Sequence, residues 1–107
     1  GLASTIVGLN AGGISGISVN HSDIGGYTTL KTPFYFPNYF RSKELFLRWT
    51  EMNAFTPIYR THEGNKPKHN HQPYTDSETV QFFAKFGKVH FALKDYMKAL
   101  MKDANAK

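Results

Sequence analysis

Apolar residues at Leu2, Ile6 and Leu9 recur at i, i+4 and i+7, so the chain opens as a short amphipathic helix, with Gly12 and Gly13 suited to its C-terminal end. The branched residues Ile14, Ile17 and Val19 predict a strand over 14–20. Residues 21–41 carry no helical period. They hold Gly25, Gly26, Pro33, Pro37 and several aromatics instead, which predicts a long loop with content of its own. Ser42 is a suitable N-cap for a second helix whose buried stripe is Leu45, Trp49 and Met52, with Lys43, Glu44 and Arg48 toward water. A short strand is expected at 55–59, although Pro57 inside it suits no central strand, and the polar stretch 61–74 reads as a loop. Thr75 and Glu78 form a capping box. From there Val80, Phe83, Phe86, His90, Leu93, Met97 and Leu100 continue one helical stripe to about Met101, and residues 103–107 are expected to fray.

The order helix, strand, long loop, helix, strand, loop, helix predicts an α/β class with parallel strands joined by helical crossovers. Two parallel strands do not make a stable sheet, because such sheets need several strands and cover on both faces. The expectation is therefore a piece of a larger α/β fold, and an opening Gly1 with no initiator Met points the same way.

Composition narrows this little. The chain has 107 residues, 40% of them hydrophobic, which fits one globular unit rather than a disordered tail. No apolar run is long enough to span a bilayer, no signal-peptide pattern opens the chain, and the absence of cysteine excludes disulfides and thiolate chemistry. A net charge of +5 permits loose attraction to polyanions. On that ground a small basic module binding single-stranded nucleic acid through exposed aromatics is the alternative from another class. Its signature would be binding that weakens steeply with salt. A purely structural segment is a second rival. Lys85, Lys88, Lys94, Lys98 and Lys102 read as the wet face of the last helix rather than as a phosphate-binding stripe.

The polar clusters His21-Ser22-Asp23 and Arg60-Thr61-His62-Glu63 fall just past the C-terminal ends of the two expected strands, the face where parallel α/β folds gather binding and catalytic groups. Gly25 and Gly26 allow a sharp turn and close approach to a ligand, and Tyr27 supplies an amphipathic wall. A flat apolar face beside hydrogen-bonding groups suits a sugar. Each residue also has a plainer use: Asp23 as a turn cap, Tyr27 as core, His62 as a surface histidine. His69 and His71 lack a third ligand at metal-site spacing, so a solvated loop is the better reading there. Ser22 and His21 are adjacent on an extended chain, hence on opposite faces, and badly placed to act as nucleophile and base.

The stretches "HSDIGGYTT" and "RSKELFLRWTEMNAFTPIYRTHEGN" resemble the C-terminal quarter of the catalytic barrel of glycoside hydrolase family 31, the α-glucosidase family, over nearly the whole of 1–107. The matching residues are Asp23, Gly25, Gly26 and Tyr27 after the family's seventh strand, Arg48 and Trp49 on the next helix, and Arg60 and His62 after the eighth strand. The resemblance implies a partial (β/α)8 TIM barrel: the last two strand–helix units and a preceding helix. Within the family it is most similar to the sulfoquinovosidases, by Ser22, by Tyr27 where glucosidases usually carry Phe, and by "RTHEGN". α-Glucosidase and α-xylosidase are the alternatives. It further implies that Asp23, Tyr27, Arg60 and His62 bind a carbohydrate substrate, Tyr27 holding a sulfonate and His62 the ring hydroxyls. No metal or organic cofactor, no nucleic acid and no membrane partner follow from it. Both catalytic aspartates of the family would precede Gly1, so the segment alone would be inactive. "KTPFYFPNYF", residues 31–40, is longer and more aromatic than the family's usual connection.

Overall fold

The computed structural model describes residues 1–31, 33 and 38–106. In chain order the helices are α1 (Leu2–Ile14), α2 (Lys43–Asn53), a 3₁₀ turn (Pro67–His69), α3 (Ser77–Ala92) and α4 (Lys94–Ala106). Among the described residues no β-strand forms, so both expected strands need correction.

Over 14–20 the chain completes α1 and turns. Gly12 and Gly13 stay helical, and the left-handed cap falls to Gly16 at φ 86°. Ile17 N–H donates to Gly12 O (2.9 Å) and Gly16 N–H to Gly13 O (3.2 Å), the paired bonds of a Schellman cap. The returning chain is strapped to the helix by the Asn20 amide, which donates to Leu9 O (3.2 Å) and Ile17 O (3.1 Å). Over 55–59 the chain is likewise turned. Phe55 and Thr56 N–H reach back to Met52 O (3.1 Å) and Asn53 O (3.2 Å), and Pro57 has no N–H to give a ladder.

Two segments nevertheless run parallel, a little further along each. Ile24 and Thr61 form an isolated parallel bridge in which Ile24 N–H donates to Arg60 O at 2.9 Å and Thr61 Oγ1 to Ile24 O at 3.3 Å. Among the described residues this pair has no neighbouring strand, and a lone parallel pair does not propagate into a ladder. An antiparallel bridge, Leu30 with Tyr39, closes the 21–41 loop through two bonds of 2.9 Å. Of the aromatic stretch 31–40, residues 32 and 34–37 lie outside the described residues.

Ser42 caps α2 as expected, its Oγ accepting from Leu45 N–H at 3.2 Å. The buried face is Phe46, Trp49, Thr50 and Asn53, while Leu45 and Met52 are half-buried. The arc is wider than the expected stripe because α2 is covered on two sides, by the Ile24 segment and by α3. Ile24, Phe46 and Trp49 form the core, with Leu2, Tyr59 and Phe83 packed on it. Lys43 bridges to Asp76 (3.0 Å) and Glu78 (2.7 Å) instead of facing water alone.

The cap of α3 is Asp76, whose Oδ1 accepts from Thr79 N–H at 2.8 Å. Thr75 Oγ1 instead accepts from Gln72 N–H (2.8 Å) and closes the preceding turn, so the expected Thr75–Glu78 box is replaced. The long stripe is present but broken: Leu93, at φ −83° and ψ 0°, shares its N–H between Val89 O and His90 O, and α4 begins at the next residue. Phe83, Tyr59 and His90 stack in sequence, at 4.9 and 5.5 Å between ring centroids, and Tyr59 Oη donates to Phe83 O at 2.8 Å. Burial pushes the Tyr59 hydroxyl pKa well above that of a free phenol. Residues 103–106, expected to fray, are helical, and Lys107 lies outside the described residues.

The Asp76 corner is acid-sensitive. Its Thr79 N–H bond, then the Lys43 ammonium, hold the Asp76 carboxyl well below its ordinary 3.8, and burial pushes His71 below its ordinary 6.5. Both folded groups bind protons less readily than the unfolded chain, so their contributions are present above the unfolded values and lost as pH falls. Urea midpoints measured from pH 7 to pH 3 are expected to fall first below about pH 6.5 and again through the carboxylate range. Asp76→Asn, which keeps the cap, should flatten the second fall, and by removing the carboxylate 3.8 Å from His71 Nε2 it should deepen the first.

Candidate functional site

Extended chain points alternate side chains to opposite sides, and residues 21–23 use this. His21 and Asp23 meet on one side, Nε2 to Oδ1 at 3.0 Å, with Arg60 Nε 3.5 Å from the same carboxylate oxygen. Ser22 turns the other way, onto α2. Its Oγ accepts from Trp49 Nε1 (3.0 Å) and donates to Asn53 Oδ1 (3.2 Å), while Asn53 Nδ2 donates to Ser22 O at 2.6 Å. Ser22 is therefore a docking residue, and Trp49 is oriented by it. Because a carboxylate only accepts, Nε2 is the protonated nitrogen of His21. Its Nδ1 is buried with no partner among the described residues.

The turn that follows is held by Arg41, 2% exposed. Its guanidinium donates from Nη1 to the carbonyls of Ile24 (3.2 Å), Gly26 (3.0 Å) and His62 (2.8 Å), from Nε to His71 O (2.7 Å), and from Nη2 to Gln72 Oε1 (2.8 Å). The planar fork matches acceptors that a point charge does not span. Burial pushes Arg41 below its usual value and the Asp23 carboxylate partly offsets this. Gly25 is needed here twice over. It stands at φ 81°, and a Cβ on it would collide with the Arg41 side chain.

Tyr27 emerges from this turn 60% exposed, its ring 6.1 Å from that of His62. His62 Nδ1 accepts from Gly64 N–H at 2.9 Å, so Nε2 carries the ring proton and presents a donor. An open cavity of about 560 Å³ is lined by His21, Asp23, Tyr27 and Trp49, among others. Of the four residues singled out from sequence, Asp23 and Tyr27 line it. Arg60 and His62 stand beside it, joined to Asp23 and Tyr27 respectively. His71, by contrast, turns inward onto Thr79 Oγ1 (2.7 Å) and the Phe46 ring, away from His69. Among the described residues no group of three or more His, Asp or Glu is placed to hold a metal ion.

Sequence reading missed Arg41, Asn53, Asn65, Asn70 and Gln72, the polar residues that hold this site. Arg41 sits next to the Ser42 cap, and its side-chain partners run from Ile24 to Gln72, so no local pattern marks it.

A model of the glycosyl hydrolases family 31 TIM-barrel domain matches residues 1–100. A sulfoquinovosidase of Agrobacterium fabrum is 45% identical over 104 residues, which is 97% of this chain and 15% of that protein. A sulfoquinovosidase of Escherichia coli is 48% identical over 98 residues, 92% of this chain and 14% of that protein. The chain thus spans about one seventh of the length of these curated relatives. A solved structure of a GH31 family sulfoquinovosidase from E. rectale, in complex with the aza-sugar inhibitor IFGSQ, is 46% identical and superposes with a TM-score of 0.74, covering 87% of this chain and 13% of that one.

Arg41→Lys is expected to lower stability by about 3 kcal/mol or more in urea denaturation, since several buried carbonyls lose their donor at roughly 1–3 kcal/mol each. Gly25→Ala should cost a comparable amount, and the double variant should cost less than the sum because both changes disrupt one contact. Additive losses would contradict the clamp.

Proposed function

The chain belongs to glycoside hydrolase family 31, and on that footing we propose that it serves as the C-terminal part of a catalytic (β/α)8 barrel in a retaining α-glycosidase, with sulfoquinovosides as the preferred substrates. The extended segments around Ile24 and Thr61 are read as the exits of the last two barrel strands, the helices after them as barrel helices. The observation that carries the reading is the parallel bridge Ile24–Thr61, because it sets Asp23 against Arg60 and Tyr27 against His62 at one cavity. Two curated relatives and one solved relative bearing the sulfoquinovosidase name support the substrate class.

Each side chain then has a role. His62, with its proton on Nε2, donates to a ring hydroxyl. Asp23 lines the same pocket with Arg60 neutralising it. Engaged by both His21 and Arg60, it is a poor nucleophile. Retaining chemistry needs two carboxylates about 5–5.5 Å apart, one attacking the anomeric carbon and one protonating the leaving oxygen. We assign both to parts of the polypeptide outside 1–107. Tyr27 is exposed with its hydroxyl free among the described residues, and would donate to a sulfonate oxygen at the C6 end of the sugar.

Hydrolysis of para-nitrophenyl α-sulfoquinovoside and α-glucoside by the complete polypeptide containing this segment tests the reading. The sulfonated substrate should be preferred, and Tyr27→Phe should reduce that preference roughly tenfold, the loss of one hydrogen bond to an anion. Equal or faster cleavage of the glucoside would leave the glycosidase reading standing and remove the sulfonate one. Cleavage of neither substrate would remove both.

A further inference from the structure

Tyr27 is too exposed for packing to place it, and its ring meets that of His62 only at 6.1 Å between centroids. Its position has to come from the backbone. Tyr27 O accepts from Asn65 N–H at 3.1 Å. Two residues on, Thr29 N–H donates to Asn65 Oδ1 (2.7 Å) while Asn65 Nδ2 donates to Thr29 O (3.1 Å). The Asn65 amide thus acts as a strand partner for Thr29, offering an acceptor and a donor at the spacing a peptide group would. Side-chain amides of asparagine commonly bond within two residues of themselves. These bonds reach 36 residues back along the chain.

On the other side Thr29, 3% exposed, gives its Oγ1–H to Asn70 Oδ1 at 2.8 Å, and the same oxygen accepts Arg41 N–H at 3.1 Å. Tyr27 is therefore suspended between Gly26, whose carbonyl is held by Arg41, and Thr29, held by Asn65. Asn65 also follows His62 by three residues in the same turn, so one short segment carries the histidine and the group that places the tyrosine.

We infer that Asn65 is a specificity-positioning residue: it sets where the Tyr27 hydroxyl stands relative to His62, and so how well the site accepts an anionic group at the end of the sugar away from the ring hydroxyls held by His62. The inference rests on the proposed role of Tyr27. Asn65 is itself exposed, so its replacement opens no hole in the core.

The test uses the complete polypeptide and the ratio of kcat/KM for para-nitrophenyl α-sulfoquinovoside to that for the α-glucoside. Asn65→Ala should lower the ratio on the order of fivefold, the weakening of one charge-assisted hydrogen bond. Asn65→Ser, which reaches one of the two Thr29 atoms at most, should fall between. In a Tyr27→Phe background, Asn65→Ala should lower the ratio no further. A further, multiplicative drop in that background overturns the inference. So does a loss of both substrates in equal proportion in both Asn65 variants, which would make Asn65 a fold-holding residue only. If the wild type shows no sulfonate preference, or Tyr27→Phe leaves the ratio unmoved, the reading of Tyr27 itself fails and the inference with it. An Asn65 effect absent beside a clear Tyr27 effect rejects the inference alone.

Discussion

The buried guanidinium of Arg41 is the contact on which the site depends. It gathers the carbonyls of Ile24, Gly26, His62 and His71 and the amide oxygen of Gln72, and of these Ile24 O alone has a second donor among the described residues, Thr61 Oγ1. Without it, the turn at Gly25 and the turn at His62 are joined by the Ile24–Thr61 bridge, the Asp23–Arg60 pair and the Asn65 bonds to Tyr27 and Thr29, none of which reaches the carbonyls of Gly26 and His62. The guanidinium remains charged while buried because four acceptors are backbone carbonyls, the fifth, Gln72 Oε1, belongs to an amide anchored on Glu63 O and Pro67 O, the Asp23 carboxylate stands near, and the Phe46 ring lies 5.2 Å from its central carbon. The close approach that follows leaves no room for a side chain at Gly25.

Around that clamp the polar groups divide by what they face. Ser22 bonds to both Trp49 and Asn53 and so ties the 21–23 segment to α2. His21 and Asp23, one residue to either side, look to the cavity. The same division appears at the second turn, where Asn70 and Gln72 are buried in bonds to backbone while His62 and Tyr27 stay accessible. Mostly hydrogen-bonded groups underneath and accessible side chains on top are what the proposed role in holding a polar ligand requires.

Much of the helical structure was legible because it is locally determined. Ser42 caps α2, and the stripe through Phe83 and His90 follows the 3.6-residue period. Cap choice was less legible. Thr75 and Asp76 are adjacent acceptors, and Lys43, 33 positions back in the chain, lies against Asp76 and Glu78 and so favours the aspartate. The break at Leu93 has no glycine or proline to announce it. The two strands failed for a related reason: β-branched residues at Ile14, Ile17 and Val19 give a propensity that is realised only against a neighbouring strand, and α1 with its Gly16 cap is the local alternative that needs none.

By itself, then, the sequence determined where most helical residues lie, the family, and the two polar clusters whose motifs name Asp23, Tyr27, Arg60 and His62, since these are properties of residues close together in the chain. Tertiary structure alone decided that Asp23 pairs with Arg60, that Tyr27 stands beside His62, and that Arg41 and Asn65 hold the backbone around them. Those contacts join positions tens of residues apart, and hydrogen bonds of about 3 Å to backbone carbonyls leave no periodicity or motif by which a chain read in one dimension declares them.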